Sequence, residues 1–410
     1  MVFLTGSVMP EQGEGTRNYY LSNIVAFSLS WILWSPFTRA TMIYFQLFLL
    51  ELGADTIIVG YILAVSTLIL GFTRIIGGYL ADYYGRKKII VILTYGASLG
   101  YLMHALAPDW RYILFASVFM NITLLYQPAI SAILADSLPK EHRGIGFAAI
   151  NVLPSLVSIS APYLALYVVS RYGLVFGVRL LFFLAFAMGL VVATLRLFLL
   201  KETLRIKTNG NNGDVINHFK LSYKKAFSFL SANLRPLVLL YFLLNIATGI
   251  AILTQIYAVK YLGLTKEQWG WIALIGGIIY FITSLPLGYL SDKIGRKKPI
   301  IIGLFLGLFS TYLYVVAPAE NAFNYILAAA IIENMSWAVS SSALPALEAD
   351  LIPHELRGRL SALLALVSSI SFGVGQLFSG YVYELYDPRT PFTIALIIRS
   401  VTILPVLGLK

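Results

Sequence analysis

Glu333 and Arg39 are the residues whose placement most invites chemistry. Each stands inside an apolar stretch long enough to cross a bilayer, Glu333 in ILAAAIIENMSW and Arg39 in WILWSPFTRATMIYF. An ionisable side chain at mid-membrane costs ~2.5–3.5 kcal/mol on insertion scales, so it is a functional candidate by default. Glu333 is the one carboxylate well inside any apolar segment. It can take up and release a proton in a cycle, or hold a permanent ion pair, with Arg39 as one candidate partner. Asn334 beside it and Trp337 one turn on would offer hydrogen bonds and a stacking face to a solute. Arg39 falls on one helical stripe with Ser28, Ser35 and Gln46. It can bind an anionic group of a solute or pair inside the bundle. A second polar stripe, Asn245, Thr248 and Gln255, marks another apolar segment, while Asn121, Tyr126 and Gln127 are polar with poorer periodicity.

A second constellation is written twice. Gly78-Tyr79-Leu80-Ala81-Asp82-Tyr83-Tyr84-Gly85-Arg86-Lys87-Lys88 recurs as Gly288-Tyr289-Leu290-Ser291-Asp292-Lys293-Ile294-Gly295-Arg296-Lys297-Lys298. Gly78 and Gly288 let a neighbouring helix approach closely. Asp82 and Asp292 stand at helix ends, where a carboxylate can receive the N–H groups that open another helix. Leu52-Gly53 and Gly60 return 210 residues later as Leu262-Gly263 and Gly270. Ala135-Asp136, Pro139, Glu141, Arg143 and Gly144 return 214 residues later, as Ala349-Asp350, Pro353, Glu355, Arg357 and Gly358. A register shift of four is what one loop insertion produces, so the chain is a duplication.

The elements that must carry these residues follow from composition. Of 410 residues 59% are hydrophobic and only 12% charged. Soluble domains average about 45–50% and about 25%, so a soluble enzyme is excluded. Twelve apolar segments can be marked: 21–50, 56–80, 88–107, 110–134, 143–170, 175–200, 235–262, 267–290, 298–318, 322–348, 357–383 and 390–409. Backbone groups in hydrocarbon must bond internally, and continuous apolar runs make helices rather than barrel strands. The polar stretch 201–234 divides them into two halves, residues 1–200 and 235–410. Within that stretch, Val215 to Leu230 reads as an amphipathic surface helix or as a solvated linker.

Charge sets the expected orientation. With the N-terminus inside, twenty of the 30 Lys and Arg fall on the inner side, six on the outer and four within spans. Both termini are therefore expected in the cytoplasm. This topology also accounts for the net charge of +11 without any nucleic acid partner. The first twenty residues, with Glu11, Glu14 and Arg17, lack a basic-then-apolar leader, so the first helix is expected to stay in the mature protein. With no cysteine and four scattered histidines, no metal site is expected. Neither a phosphate loop nor any other cofactor motif is visible, so ATP is not expected to act directly. Glu348 and Asp350 are two apart on a helix and point to different sides, which leaves no catalytic cluster.

On the doubled motif, the twelve-segment layout and Glu202-Thr203 after the sixth segment, the chain resembles the major facilitator superfamily (MFS). That family's signature, G-x-L-a-D-r-x-G-r-R/K, is met by Gly78, Leu80, Asp82, Gly85, Arg86 and Lys87, and again by Gly288, Leu290, Asp292, Gly295, Arg296 and Lys297. The resemblance implies an all-α membrane protein with twelve transmembrane helices in two pseudo-symmetric six-helix bundles. It implies that Asp82 faces the helix starting near Gly358 and Asp292 the one starting near Gly144. It further implies that Arg86 pairs with Asp136 and Arg296 with Asp350, latching one conformational state. Arg399 would sit on a peripheral helix, and Arg74 would snorkel or support the inner gate.

The expected function is secondary transport of a small organic solute across the cell membrane by alternating access, coupled to protons, by a monomer. The alternatives are an uncoupled facilitator and a non-transporting receptor or scaffold of the same fold. Many exporters of the family carry Gly-Pro and further glycines in the fifth span. Ser158-Ile159-Ser160-Ala161-Pro162-Tyr163 keeps only the proline, so the resemblance leaves the direction of transport open.

Overall fold

The computed structural model describes residues 14–138, 154, 156–204, 227–230, 234–353 and 356–408, and its regular elements there are helices. In the first half these are α1 (Glu14–Ala40), α2 (Thr56–Tyr84), α3 (Arg86–Leu106), α4 (Trp110–Ser137), α5 (Ser160–Tyr172) and α6 (Leu174–Leu199). In the second they are α7 (Arg235–Tyr261), α8 (Lys266–Ile294), α9 (Lys297–Val316), α10 (Ala322–Leu351), α11 (Arg357–Leu385) and α12 (Thr390–Leu407). Ten of these regions are long and apolar enough to cross a membrane. The other two are α1, whose apolar run is diluted by Ser22, Asn23, Ser28, Ser30 and Ser35, and α5, whose expected first part lies largely outside the described residues. Most of the segment expected as an amphipathic helix also lies outside them; residues 227–230 are helical.

The duplication reappears in backbone geometry. Gly53 and Gly263 adopt φ of 84° and 79°, and Gly85 and Gly295 adopt 93° and 83°. A positive φ of this size strains any residue with a Cβ, so each glycine ends a helix where the next must turn back. Asp55 and Thr265 then cap α2 and α8, accepting from the amides of Ile58 and Gln268. Arg179 donates to the Ala107 carbonyl at 2.8 Å and Arg389 to that of Ala317 at 3.1 Å, tying α6 to the end of α3 and α12 to the end of α9.

The first helix of each half is interrupted at matching places. Turns at 41–44 separate α1 from its continuation Phe45–Glu51, and turns at 251–253 interrupt α7. Each interruption frees backbone carbonyls that an unbroken helix would use.

The halves meet along α2 with α11 and α5 with α8. Glycine makes the first approach possible: a Cβ on Gly60 would lie 2.6 Å from the Gln376 carbonyl oxygen, and one on Gly71 2.6 Å from the Ser369 Cβ. In lipid, where apolar side chains gain little by leaving their surroundings, such close backbone contact is a main source of helix association.

Candidate functional site

The two motif loops lie at one end of the bundles. Arg86 reaches Asp136 at 2.5 Å and the Thr203 hydroxyl at 3.3 Å. The backbone amide of Lys87 donates to Glu202 at 2.9 Å, and the other Glu202 oxygen accepts from the amides of Thr203 and Leu204. Glu202 thus holds the segment leaving α6 against the positive start of α3. In the second half Arg296 reaches Asp350 at 3.2 Å. The side chains of Asp82 and Asp292, and Gly144, lie outside the described residues, so their expected helix-start contacts do too. Gly78 and Gly288 are not the tight points: a Cβ would meet Pro128 at 3.8 Å and Ser342 at 3.7 Å, ordinary contacts. The close approach falls one residue earlier, where a Cβ on Gly77 would collide with the Leu125 carbonyl.

At the opposite end a band of hydrogen bonds joins the halves. The Gln46 side chain donates to the Ile252 carbonyl at 2.9 Å, and the Gln255 side chain donates to the Ile43 carbonyl. Both carbonyls belong to the helix interruptions. The Gln255 side-chain oxygen also accepts from the amides of Gln46 and Leu47 at 3.0 and 3.2 Å. Around this clasp, the Trp269 indole donates to Ile43 at 2.9 Å, the Tyr44 hydroxyl to the Lys266 carbonyl at 2.9 Å, and Thr56 to Glu384. Thr67 donates to Gln376 at 2.8 Å, toward the middle of α2. Gln255, expected to line a solute site, is therefore buried in the joint between halves.

A cavity of about 210 Å³ lies within the second half, between α7, α9, α10 and α12. Glu333 and Arg399 share its wall in a two-pronged ion pair, both oxygen–nitrogen distances 2.9 Å. Arg399 also donates to the Gly307 carbonyl at 2.6 Å. A Cβ on Gly307 would lie 3.1 Å from that guanidinium, so the glycine makes room for it. Arg399 is thus turned inward, its side chain 12% exposed, and it is the partner of Glu333 in place of Arg39. Trp337, Ser336, Ser340, Ser341, Tyr241, Thr248 and Thr402 complete the polar part of the wall.

Other sequence candidates fall elsewhere. Asn334 donates to the Ala330 carbonyl and packs on Gly276 of α8, where a Cβ would lie 2.6 Å from its amide nitrogen. Asn245 returns to its own helix at the Tyr241 carbonyl. Arg39 and Arg74 are exposed, and among the described residues no hydrogen bond or ion pair holds either. Arg196 carries a signal that sequence reading left unused. It is 1% exposed, bonded to Ser30 and Thr94 at 3.2 and 2.8 Å, with its guanidinium 5.6 Å from the rings of Phe27 and Tyr126.

Comparison with known proteins adds to this geometry. The model of the Major Facilitator Superfamily matches residues 19–259 and 237–409. An uncharacterized MFS-type transporter of Methanocaldococcus jannaschii, MJ1560, is 25% identical over 341 residues, 82% of this chain and 84% of that protein. Multidrug resistance protein 2 of Bacillus subtilis is 23% identical over 350 residues, 82% of each chain. Among solved structures, a POT family transporter in complex with 5-aminolevulinic acid superposes with a TM-score of 0.71 at 16% identity, covering 98% of this chain and 97% of that one.

Proposed function

Because this chain belongs to the major facilitator superfamily and is a membrane transporter of that type, we propose that it moves a small organic solute by alternating access. Residues 1–200 and 235–410 are the rocking halves, and 201–234 is the linker between them. The motif ends face the cytoplasm, as the excess of cations there favours, and the protein works as a monomer in the cell membrane. The observation that carries this reading is the reciprocal joint of Gln46 and Gln255. It closes the outer end while both motif loops keep their ion pairs inside their own halves.

Proton coupling is assigned to Glu333. A proton on its carboxylate removes the charge that holds Arg399, loosening α12 from α10 and reshaping the cavity. Uptake into liposomes with and without a pH gradient tests this. The gradient is expected to drive accumulation in the native protein and to lose its effect in Glu333→Gln. Equal rates without the gradient, together with an active Glu333→Gln, would establish uniport. That second reading draws its support from the two-pronged geometry, which suits a permanent structural pair.

A further inference from the structure

Two cations, Arg39 and Arg74, line the space between the halves, and no acid among the described residues neutralises them. Ser35, one turn before Arg39 on the same continuous part of α1, meets the Ser158 hydroxyl at 2.9 Å. Ser158 stands four and eight residues before Pro162 and Leu166, the α5 side chains that pack on Gly277 and Gly270 of α8, so Arg39 lies on the side of α1 turned toward the second half. Arg74 lies seven residues from Thr67, which bonds Gln376 of α11, and three from Gly71, which packs on Ser369. It therefore continues the α2 face that meets the second half, at a depth where no described contact closes it. Both residues are exposed, and neither has a hydrogen bond or ion pair among the described residues.

No acid among the described residues answers them. The sequence carries no carboxylate between Glu14 and Glu51 or between Asp55 and Asp82. On the second half, the deep carboxylates are already engaged: Glu333 by Arg399, and Glu348 by the hydroxyls of Tyr241, at 3.0 Å, and Ser361. Two cations on the walls of a cleft, with no described carboxylate to cancel them, give it a positive potential that concentrates anions. A negatively charged solute is the one this lining favours.

From this we infer that the solute is an organic anion, a carboxylate or phosphate monoester, gripped by Arg39 and passed toward Arg74 as the halves exchange positions. Among the described residues nothing bonds the Arg39 fork, whose geometry suits a planar or tetrahedral oxyanion. The inference rests on the alternating-access reading, because it places the solute between the halves.

The test is a thermal-shift titration of the full chain in phosphatidylcholine nanodiscs, which hold no anionic lipid. Succinate, a hexose phosphate, glucose and tetraphenylphosphonium are the probes. Succinate or the hexose phosphate is expected to raise the melting temperature, with glucose and tetraphenylphosphonium inert. Arg39→Gln should weaken the response about tenfold or more, Arg39→Lys should recover part of it, and size exclusion should confirm that both variants fold. Stabilisation by tetraphenylphosphonium or glucose, undiminished in Arg39→Gln, would overturn the inference, as would silence from both anions. Either outcome leaves the rocking halves intact if spin labels across the two ends still exchange distances; labels that never move would remove the transport reading itself.

Discussion

Gln46 and Gln255 occupy equivalent places in the two halves, 209 residues apart, and each places its side-chain amide on a carbonyl freed by the other's broken helix. The exchange is close to two-fold, but not complete. The Gln255 oxygen accepts from two amides of the first half, whereas the Gln46 oxygen is buried with no partner. Interruption and glutamine are both needed. A continuous helix would keep its carbonyls, and a shorter side chain would not span the joint.

Gln46→Ala and Gln255→Ala should each shift the population toward an open outer end. A neutral hydrogen bond contributes about 1 kcal/mol net, or roughly a fivefold change in population. Gln255→Ala should act more strongly, since it also abandons two amides. The chain has no cysteine, so spin labels placed at Glu51→Cys and Leu385→Cys, both exposed, read the opening directly as a longer distance.

Arg399→Met should destabilise the protein strongly. It leaves Glu333 without its counter-charge in a site only partly open to water, and breaking a buried pair from one side costs about 3–5 kcal/mol. The double variant Arg399→Met with Glu333→Leu should recover most of that loss. Thermal unfolding of the four proteins in one detergent gives the coupling.

Arg196→Met should be far milder, although Arg196 is the more deeply buried arginine. Its partners are two hydroxyls and two rings, not a carboxylate. Ser30 and Thr94 already donate to the carbonyls of Ala26 and Ile90, at 2.6 and 2.5 Å. Removing the guanidinium therefore strands no charge, whereas removing Arg399 leaves a carboxylate uncompensated. Unfolding midpoints of Arg196→Met and Arg399→Met, measured side by side, check the contrast.

Gly60→Val should wedge the outer joint. Its Cβ would meet the backbone of Gln376 and Gly380 at 2.6 and 3.2 Å, where no flexible side chain can yield. The distance between labels at Glu51→Cys and Leu385→Cys should lengthen in this variant.

Composition, the apolar runs and the 210-residue recurrence specify the helical membrane fold because lipid leaves the backbone few choices. The recurrence reaches down to single torsions, at Gly53 with Gly263 and Gly85 with Gly295. Side-chain partners were less legible. Arg39 and Arg399 are both cations inside apolar runs, and only packing reveals that Gly307 opens room for Arg399 beside Glu333. Gln255 sits on a polar stripe with Asn245 and Thr248 by helical arithmetic. The turns at 251–253 break that stripe and carry Gln255 into the joint. Asn334 adjoins Glu333 in sequence yet points to Gly276, since neighbours on a helix diverge by about 100°. The unused signal for Arg196 was its company: Phe27, Ser30, Thr94 and Tyr126 come from three other helices, and no single-helix periodicity gathers them.

The most direct test places one spin-label pair at Glu51→Cys and Leu385→Cys and a second at exposed motif-end positions, Tyr84→Cys and Lys298→Cys, and measures both distances by pulsed electron resonance in nanodiscs. In the native chain the outer pair should be short and the motif-end pair long. Gln46→Ala with Gln255→Ala should lengthen the first and shorten the second together. Two distances that stay fixed, or that lengthen in parallel, would contradict the exchange of openings between the halves.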